Sequence, residues 1–104
     1  MDDKLAVKTL SALAQPTRFQ VFRLLMRVGE TGMRAGDIAA RLEVPQNTLS
    51  GHLAILVNAD LLTSKREGRE LHYALNAEAT RAFMTYLTDD CCEGRPELCG
   101  ISYK

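Results

Sequence analysis

No cysteine occurs in this chain before Cys91, and then all three come together in "CCEGRPELC", residues 91–99. No apolar stretch approaches the roughly 20 residues that a membrane-spanning helix needs. The amino terminus, MDDKLAVKTL, carries acidic residues where a secretory signal is basic, with no long apolar stretch behind them. Together these absences predict a cytoplasmic protein with no membrane partner and with thiols kept reduced. An odd number of cysteines fits, since three thiols cannot pair off within one chain. Net charge is also lacking: 13 basic residues balance 13 acidic ones. That weighs against non-specific nucleic-acid binding through bulk charge and leaves the distribution of charge to decide. Internal repeats, low-complexity segments, a nucleotide loop and a catalytic pair are all missing. A thiol-based reductase or phosphatase would need Cys-x5-Arg to cradle an oxyanion, but the residues six after Cys91 and Cys92 are Glu97 and Leu98. The chain therefore lacks an enzymatic signature.

What is present reads as one domain of 104 residues with a modest core. Ala6, Val7, Leu10, Leu13 and Ala14 share a face at helical spacing, opposite Lys4, Lys8 and Ser11. Gln15-Pro16 marks a boundary, because proline excludes the α region for the residue before it and suits a helix's first turn. A second helix, from Pro16 to about Val28, carries Phe19, Phe22, Leu25 and Met26 and is stopped by Gly29 and Gly32. A short helix around Gly36–Leu42 turns inward Ile38, Ala39 and Leu42. After the turn Glu43-Val44-Pro45, another runs to about Asn58. Leu61–Lys65 reads as a strand, Glu67-Gly68 as a hairpin turn and Glu70–Leu75 as the returning strand. Asn76 caps a last helix with the stripe Ala79, Phe83, Tyr86 and Leu87. The pattern predicts a mainly α domain with a small β-hairpin, a winged helix-turn-helix.

In "PQNTLSGHLAILVNADLL", Leu49, Leu53, Leu56 and Val57 fall on one side of the helix and must face the core. Asn47, Thr48 and Gly51 lie opposite, flanked by Ser50 and His52, with Gln46 in the first turn. Amides can bond adenine bidentately, and hydroxyls reach bases or phosphates. Gly51 is a poor helix former, and its value on such a face is close approach of the backbone to a phosphate or base edge. "SKREGRE" sets Lys65, Arg66 and Arg69 around the hairpin turn, within reach of phosphates or a minor groove. A polar helix face alone equally fits a solvated surface, and a basic hairpin tip alone equally fits solubility. The combination is more specific than either part. It predicts double-stranded DNA as partner, with Gln46, Asn47, Thr48, Ser50, His52, Lys65, Arg66 and Arg69 as contacts.

"LSALAQPTRFQVFRLL" and "LSGHLAILVNADLLTSKREGRELHYAL" closely resemble the ArsR/SmtB family of metal-responsive winged-helix repressors. The first holds that family's Ala-Leu-Ala-x-Pro-Thr-Arg signature at Ala12–Arg18. The second holds its Ser-x-His-Leu pattern at Ser50–Leu53, followed by the wing. The resemblance, spanning roughly Thr9 to Leu75, implies a homodimer joined through the first and last helices and bound to a palindromic operator. Val7, Leu10, Phe83 and Leu87 are the interface residues it points to. The family's inducer sites vary. The Cys-x-Cys of the arsenic-sensing founders has no counterpart in "MRAGDIAARL", and the Asp and His ligands of zinc sensors have none in "NAEATRAFMTYLTDD". The arrangement at Cys91, Cys92 and Cys99 resembles a variant of arsenic repressors with three cysteines near the C-terminus, two of them adjacent.

Three soft thiolates suit trivalent arsenic or antimony, which take three sulfurs in a pyramid. Zinc would need a fourth ligand such as His72, Asp89, Asp90 or water. Asp89, Asp90 and Glu93, with the negative end of a helix, favour protonated thiols, whereas redox-sensing cysteines want electropositive surroundings. Arsenous acid condenses with three neutral thiols and releases water without net proton change. Adjacent side chains on a regular helix point about 100° apart, so Cys91 and Cys92 can share one atom only where the helix has ended or unwound. The expected division is residues 1–92 for DNA binding and dimerisation, and 93–104 as a flexible tail completing the cysteine site. Arsenite, with antimonite as its congener, is the expected inducer. Cadmium, lead or zinc sensing and thiol redox or persulfide sensing are the alternatives.

Overall fold

In the computed structural model, which describes residues 1–90 apart from the side chains of Asp89 and Asp90, the first helix begins at a cap. The Asp2 carboxylate accepts the Leu5 N–H at 2.8 Å, and helix α1 spans Asp3–Leu13. Its inward residues are small: Ala6, Thr9 and Ala12 are buried, and the Thr9 hydroxyl donates to the Leu5 carbonyl at 3.0 Å. The apolar face expected of this helix is thereby divided. Val7 and Leu10 stand 62% and 46% exposed, because alanines let the helix lie close to the domain and leave its large residues outside.

Gln15 caps α2 (Pro16–Val28), accepting the Arg18 N–H at 2.9 Å, with Pro16 in the first turn. The buried face is Val21, Leu24 and Leu25. Phe19 and Met26, expected in the apolar stripe, are exposed, since 19, 23 and 26 share the opposite face at helical spacing. There the Arg23 guanidinium lies over the Phe19 ring, 5.9 Å from its centroid.

Gly29 and Gly32, with φ of 83° and 67°, bracket a single 3₁₀ turn, Gly29–Thr31. They deliver the chain to β1 (Met33–Arg34), a strand too short for alternation to reveal. After α3 (Ala35–Leu42) and α4 (Gln46–Asn58) come β2 (Leu62–Glu67) and β3 (Glu70–Leu75). The sheet is antiparallel in the order β1-β3-β2, with Met33 opposite Tyr73 and Ser64 opposite Tyr73 on the other side. The wing is thus a three-stranded sheet rather than a bare hairpin, and its central strand is hydrogen-bonded on both edges.

The core joins α2, α3, α4 and the sheet through Val21, Leu25, Ile38, Leu49, Leu53, Leu56, Leu61, Leu62 and Tyr73. Asn76 caps α5 (Ala77–Thr85), accepting the Ala79 N–H at 3.2 Å, while its own N–H bonds the Leu61 carbonyl at 2.9 Å. The last turn, Tyr86–Asp90, widens into a π-helix. The Tyr86 hydroxyl donates to the Asp3 carboxylate, tying the end of α5 to the start of α1.

Candidate nucleic-acid interface

A left-handed residue makes the turn from α3 to α4. Glu43 (φ 56°) ends α3, and the N–H groups of Glu43 and Val44 bond back to the carbonyls of Ala40 and Ala39 at 3.3 and 3.0 Å. Pro45 then occupies the N-cap of α4. Leu49, Leu53 and Leu56 are fully buried, which fixes the rotation of α4 and leaves Gln46, Asn47, Thr48, Ser50 and Gly51 exposed on the far side. The Asn47 side-chain carbonyl accepts the Thr48 N–H, and the Ser50 hydroxyl donates to the Asn47 carbonyl, both at 3.0 Å. Asn47 keeps its amide nitrogen for an outside partner. A Cβ at Gly51 would meet nothing within 4 Å among the described residues, so none of them calls for glycine there.

The β2–β3 register pairs Glu67 with Glu70 and leaves a two-residue turn, Gly68-Arg69, in which Gly68 takes φ 65°. Positive φ at the first central residue only is the type II′ pattern, which matches strand twist. Between this wing and the first turns of α4 lies a cleft of about 410 Å³ lined by Gln46, Ser50, Arg66 and Arg69. Four expected contacts from two separate sequence segments therefore meet at one site. Lys65, expected with them, is exposed but does not line the cleft; neighbours on a strand point to opposite faces.

The cleft also contains residues that the sequence did not single out. Arg34, Asp37 and Glu70 line it. The Arg34 guanidinium binds Glu70 at 2.9 Å and Asp37 at 3.4 Å. Its hydrogen bond to Glu70, then the charges of Glu70 and Asp37, raise its pKa above the usual arginine value. Only the β1–β3 pairing, with Arg34 opposite His72, brings Arg34 here, and no local pattern announces it. Tyr73 forms part of the cleft's inner wall, where burial raises its phenol pKa.

His52 is placed differently from the expected DNA contact. It is half-buried, and its Nδ1 accepts a hydrogen bond from the Arg18 guanidinium at 3.1 Å. Arg18 also donates through Nε to the Ala12 carbonyl at 2.6 Å. The ring thus ties α4 to the α1–α2 junction from inside the chain. His72 is likewise occupied, its Nε2 bonding the Thr31 carbonyl beside β1.

The helix-turn-helix domain family matches residues 13–65, about half of the chain. The transcriptional activator HlyU of Vibrio cholerae is 30% identical over 88 residues, which cover 85% of this chain and 79% of HlyU. The structure of reduced HlyU superposes with a TM-score of 0.66 at 28% identity, covering 80% of this chain and 85% of that one. The arsenical resistance operon repressor of Bacillus subtilis is 33% identical over 81 residues, covering 78% of this chain and 73% of the repressor. The chain belongs to the ArsR/SmtB family. It is accordingly a winged-helix regulator of transcription whose partner is operator DNA, and its relatives are regulators rather than enzymes. A homodimeric winged helix-turn-helix domain from Mycobacterium bovis, solved in solution, shares the fold with a TM-score of 0.67 at 22% identity over 84% of each chain.

For an ArsR/SmtB protein the remaining questions are the dimer and the inducer. Of the four expected interface residues, Val7 and Leu10 are exposed and Leu87 is half-buried. Phe83 is only 4% exposed within a single chain, so it has almost no surface left for a partner; its face of α5 turns into its own domain. Among the described residues no group of three or more His, Cys, Asp or Glu is placed to hold a metal ion. Cys91, Cys92 and Cys99 lie outside the described residues, as does the 93–104 segment. Nor is any described helix long and apolar enough to cross a membrane.

Proposed function

We propose that this ArsR/SmtB regulator is a cytoplasmic, arsenite-responsive repressor. It binds a palindromic operator as a homodimer and leaves it when trivalent arsenic, or antimony, binds Cys91, Cys92 and Cys99. The observation that carries the DNA half is the cleft in which Gln46 and Ser50 of α4 face Arg66 and Arg69 of the wing. Base-reading and phosphate-binding side chains are there presented together. The exposed Val7 and Leu10 on α1 support a dimer through that helix, and the neighbour from M. bovis is homodimeric.

The arsenic half rests on three thiols and on the arsenical resistance operon repressor among the relatives. Arsenous acid condenses with the three thiols; three As–S bonds replace three As–O bonds, and each departing hydroxyl leaves as water with a thiol proton. The end of α5 departs from regular α-helix in the π-helical turn Tyr86–Asp90, which directly precedes Cys91 in the sequence. Closing a site there would pull on the end of α5 and, through Tyr86 and Asp3, on α1. A coupling of about 1–3 kcal/mol is enough to shift operator occupancy.

A second reading, a regulator switched by thiol oxidation, draws on HlyU, one solved structure of which is of the reduced form. Titrating the operator complex with arsenite, cadmium, zinc and peroxide separates them. Arsenite should release the wild type, and a Cys91→Ser/Cys92→Ser/Cys99→Ser variant should bind DNA normally without responding. Release of that variant by arsenite would overturn the site; release of the wild type only by peroxide or zinc would replace arsenic with a rival.

A further inference from the structure

Two carboxylates in the cleft ought to hinder a DNA-binding surface. Asp37 and Glu70 line the same space as Arg66 and Arg69, where phosphates would approach. Both are ion-paired with Arg34, which holds Glu70 at 2.9 Å and Asp37 at 3.4 Å. All three side chains are more than half exposed, at 55%, 59% and 57% for Arg34, Asp37 and Glu70. Exposed pairs of this kind contribute little to folding stability, so stability is a poor reason for two acids on this surface.

We propose that Arg34 is a DNA phosphate-binding residue whose strength is deliberately held down by Glu70 and Asp37. This rests on the reading that the cleft faces the operator. A guanidinium has five N–H donors, so pairs through Nε and Nη1 leave others free for a phosphate oxygen. The two carboxylates also fix its position, from α3 on one side and the wing on the other. On random DNA, where only backbone contacts are made, the acids repel the phosphates and keep affinity low. At the operator, base contacts from α4 draw the duplex in, and Arg34, still held by its carboxylates, meets a phosphate with its remaining N–H donors. Asp37 and Glu70 therefore act on specificity, by weakening the sequence-independent part of binding more than the sequence-dependent part.

The test is binding of the purified full chain to operator and to random duplex over a range of salt. Arg34→Ala should weaken binding to both several-fold and reduce the salt slope by about 0.9, the contribution of one phosphate. Glu70→Gln should do the opposite: tighten binding to random DNA several-fold, steepen the salt slope and narrow the gap between operator and random sequence. The opposite signs are decisive, because either change removes the same Arg34–Glu70 pair. If the pair only braces the wing against α3, both variants will weaken operator binding alike, and the proposal fails. Gln46→Ala, assayed beside them, separates this from the underlying reading: if it leaves operator affinity intact, the cleft does not face bases, whatever Arg34 does. Circular dichroism of each variant confirms the fold.

Discussion

Replacing Gly32 with alanine would place a methyl group where β3 already has a backbone oxygen. A Cβ built at Gly32 lies 2.3 Å from the Tyr73 carbonyl oxygen and 2.9 Å from the Ala74 Cβ. Reaching ordinary contact requires the chains to part by about 1 Å. The atoms in the way belong to the central strand, which is held on both edges and cannot simply swing aside. In addition Gly32 has φ 67° and ψ −167°, a region open essentially to glycine and costing other residues roughly 1–3 kcal/mol. Overpacking adds roughly 1–3 kcal/mol. The sum, roughly 2–6 kcal/mol, is a large part of the 5–15 kcal/mol that holds a typical domain. For a chain of this size it corresponds to a fall in Tm on the order of 10–30 °C. Gly29→Ala is the control: φ is 83°, but nothing lies within 4 Å, so only the backbone strain applies. Thermal or urea unfolding of both variants, at one protomer concentration because dimerisation links stability to concentration, should show Gly32→Ala clearly the less stable. Equal loss in the two would refute the close approach of Gly32 to β3, and with it the packing that places Arg34 in the cleft.

Other expectations follow from the same geometry. Alanine at Gln46 or Asn47 should cost operator binding about 1–3 kcal/mol at a base-reading position, whereas Arg66→Ala or Arg69→Ala should weaken all sequences alike and flatten the salt dependence. Gel shifts on operator and scrambled duplexes distinguish the two patterns. Leu10→Glu puts a charge on the exposed face of α1 and should yield monomers with little DNA affinity; an unchanged sedimentation profile would contradict a dimer built on that helix. Gly51→Ala should raise the melting temperature, since helix interiors favour alanine over glycine by about 1 kcal/mol and the new methyl meets no atom of the described residues within 4 Å. Weaker operator binding by this more stable variant would mark Gly51 as a point of close approach, and unchanged binding would remove it from the interface.

Much of this protein is settled locally. The helices were legible because caps and breakers are chemical signals acting over three or four residues: Asn76 before α5, Gln15-Pro16 before α2. The rotation of α4 was legible as well, because Leu49, Leu53 and Leu56 have no polar alternative to the core. That rotation alone exposes Gln46, Asn47, Thr48 and Ser50. Other features depended on contacts between distant segments. β1 exists because Gly32 can lie against Tyr73, a pairing across forty residues that a two-residue strand cannot advertise. The same pairing carries Arg34 to Glu70 and completes the cleft. The sides taken by His52 and Phe83 were likewise decided in three dimensions, by Arg18 in one case and by the packing of α5 on its own domain in the other. Periodicity states which residues share a face; only the neighbours that cover that face determine whether it meets the core, a second subunit or DNA.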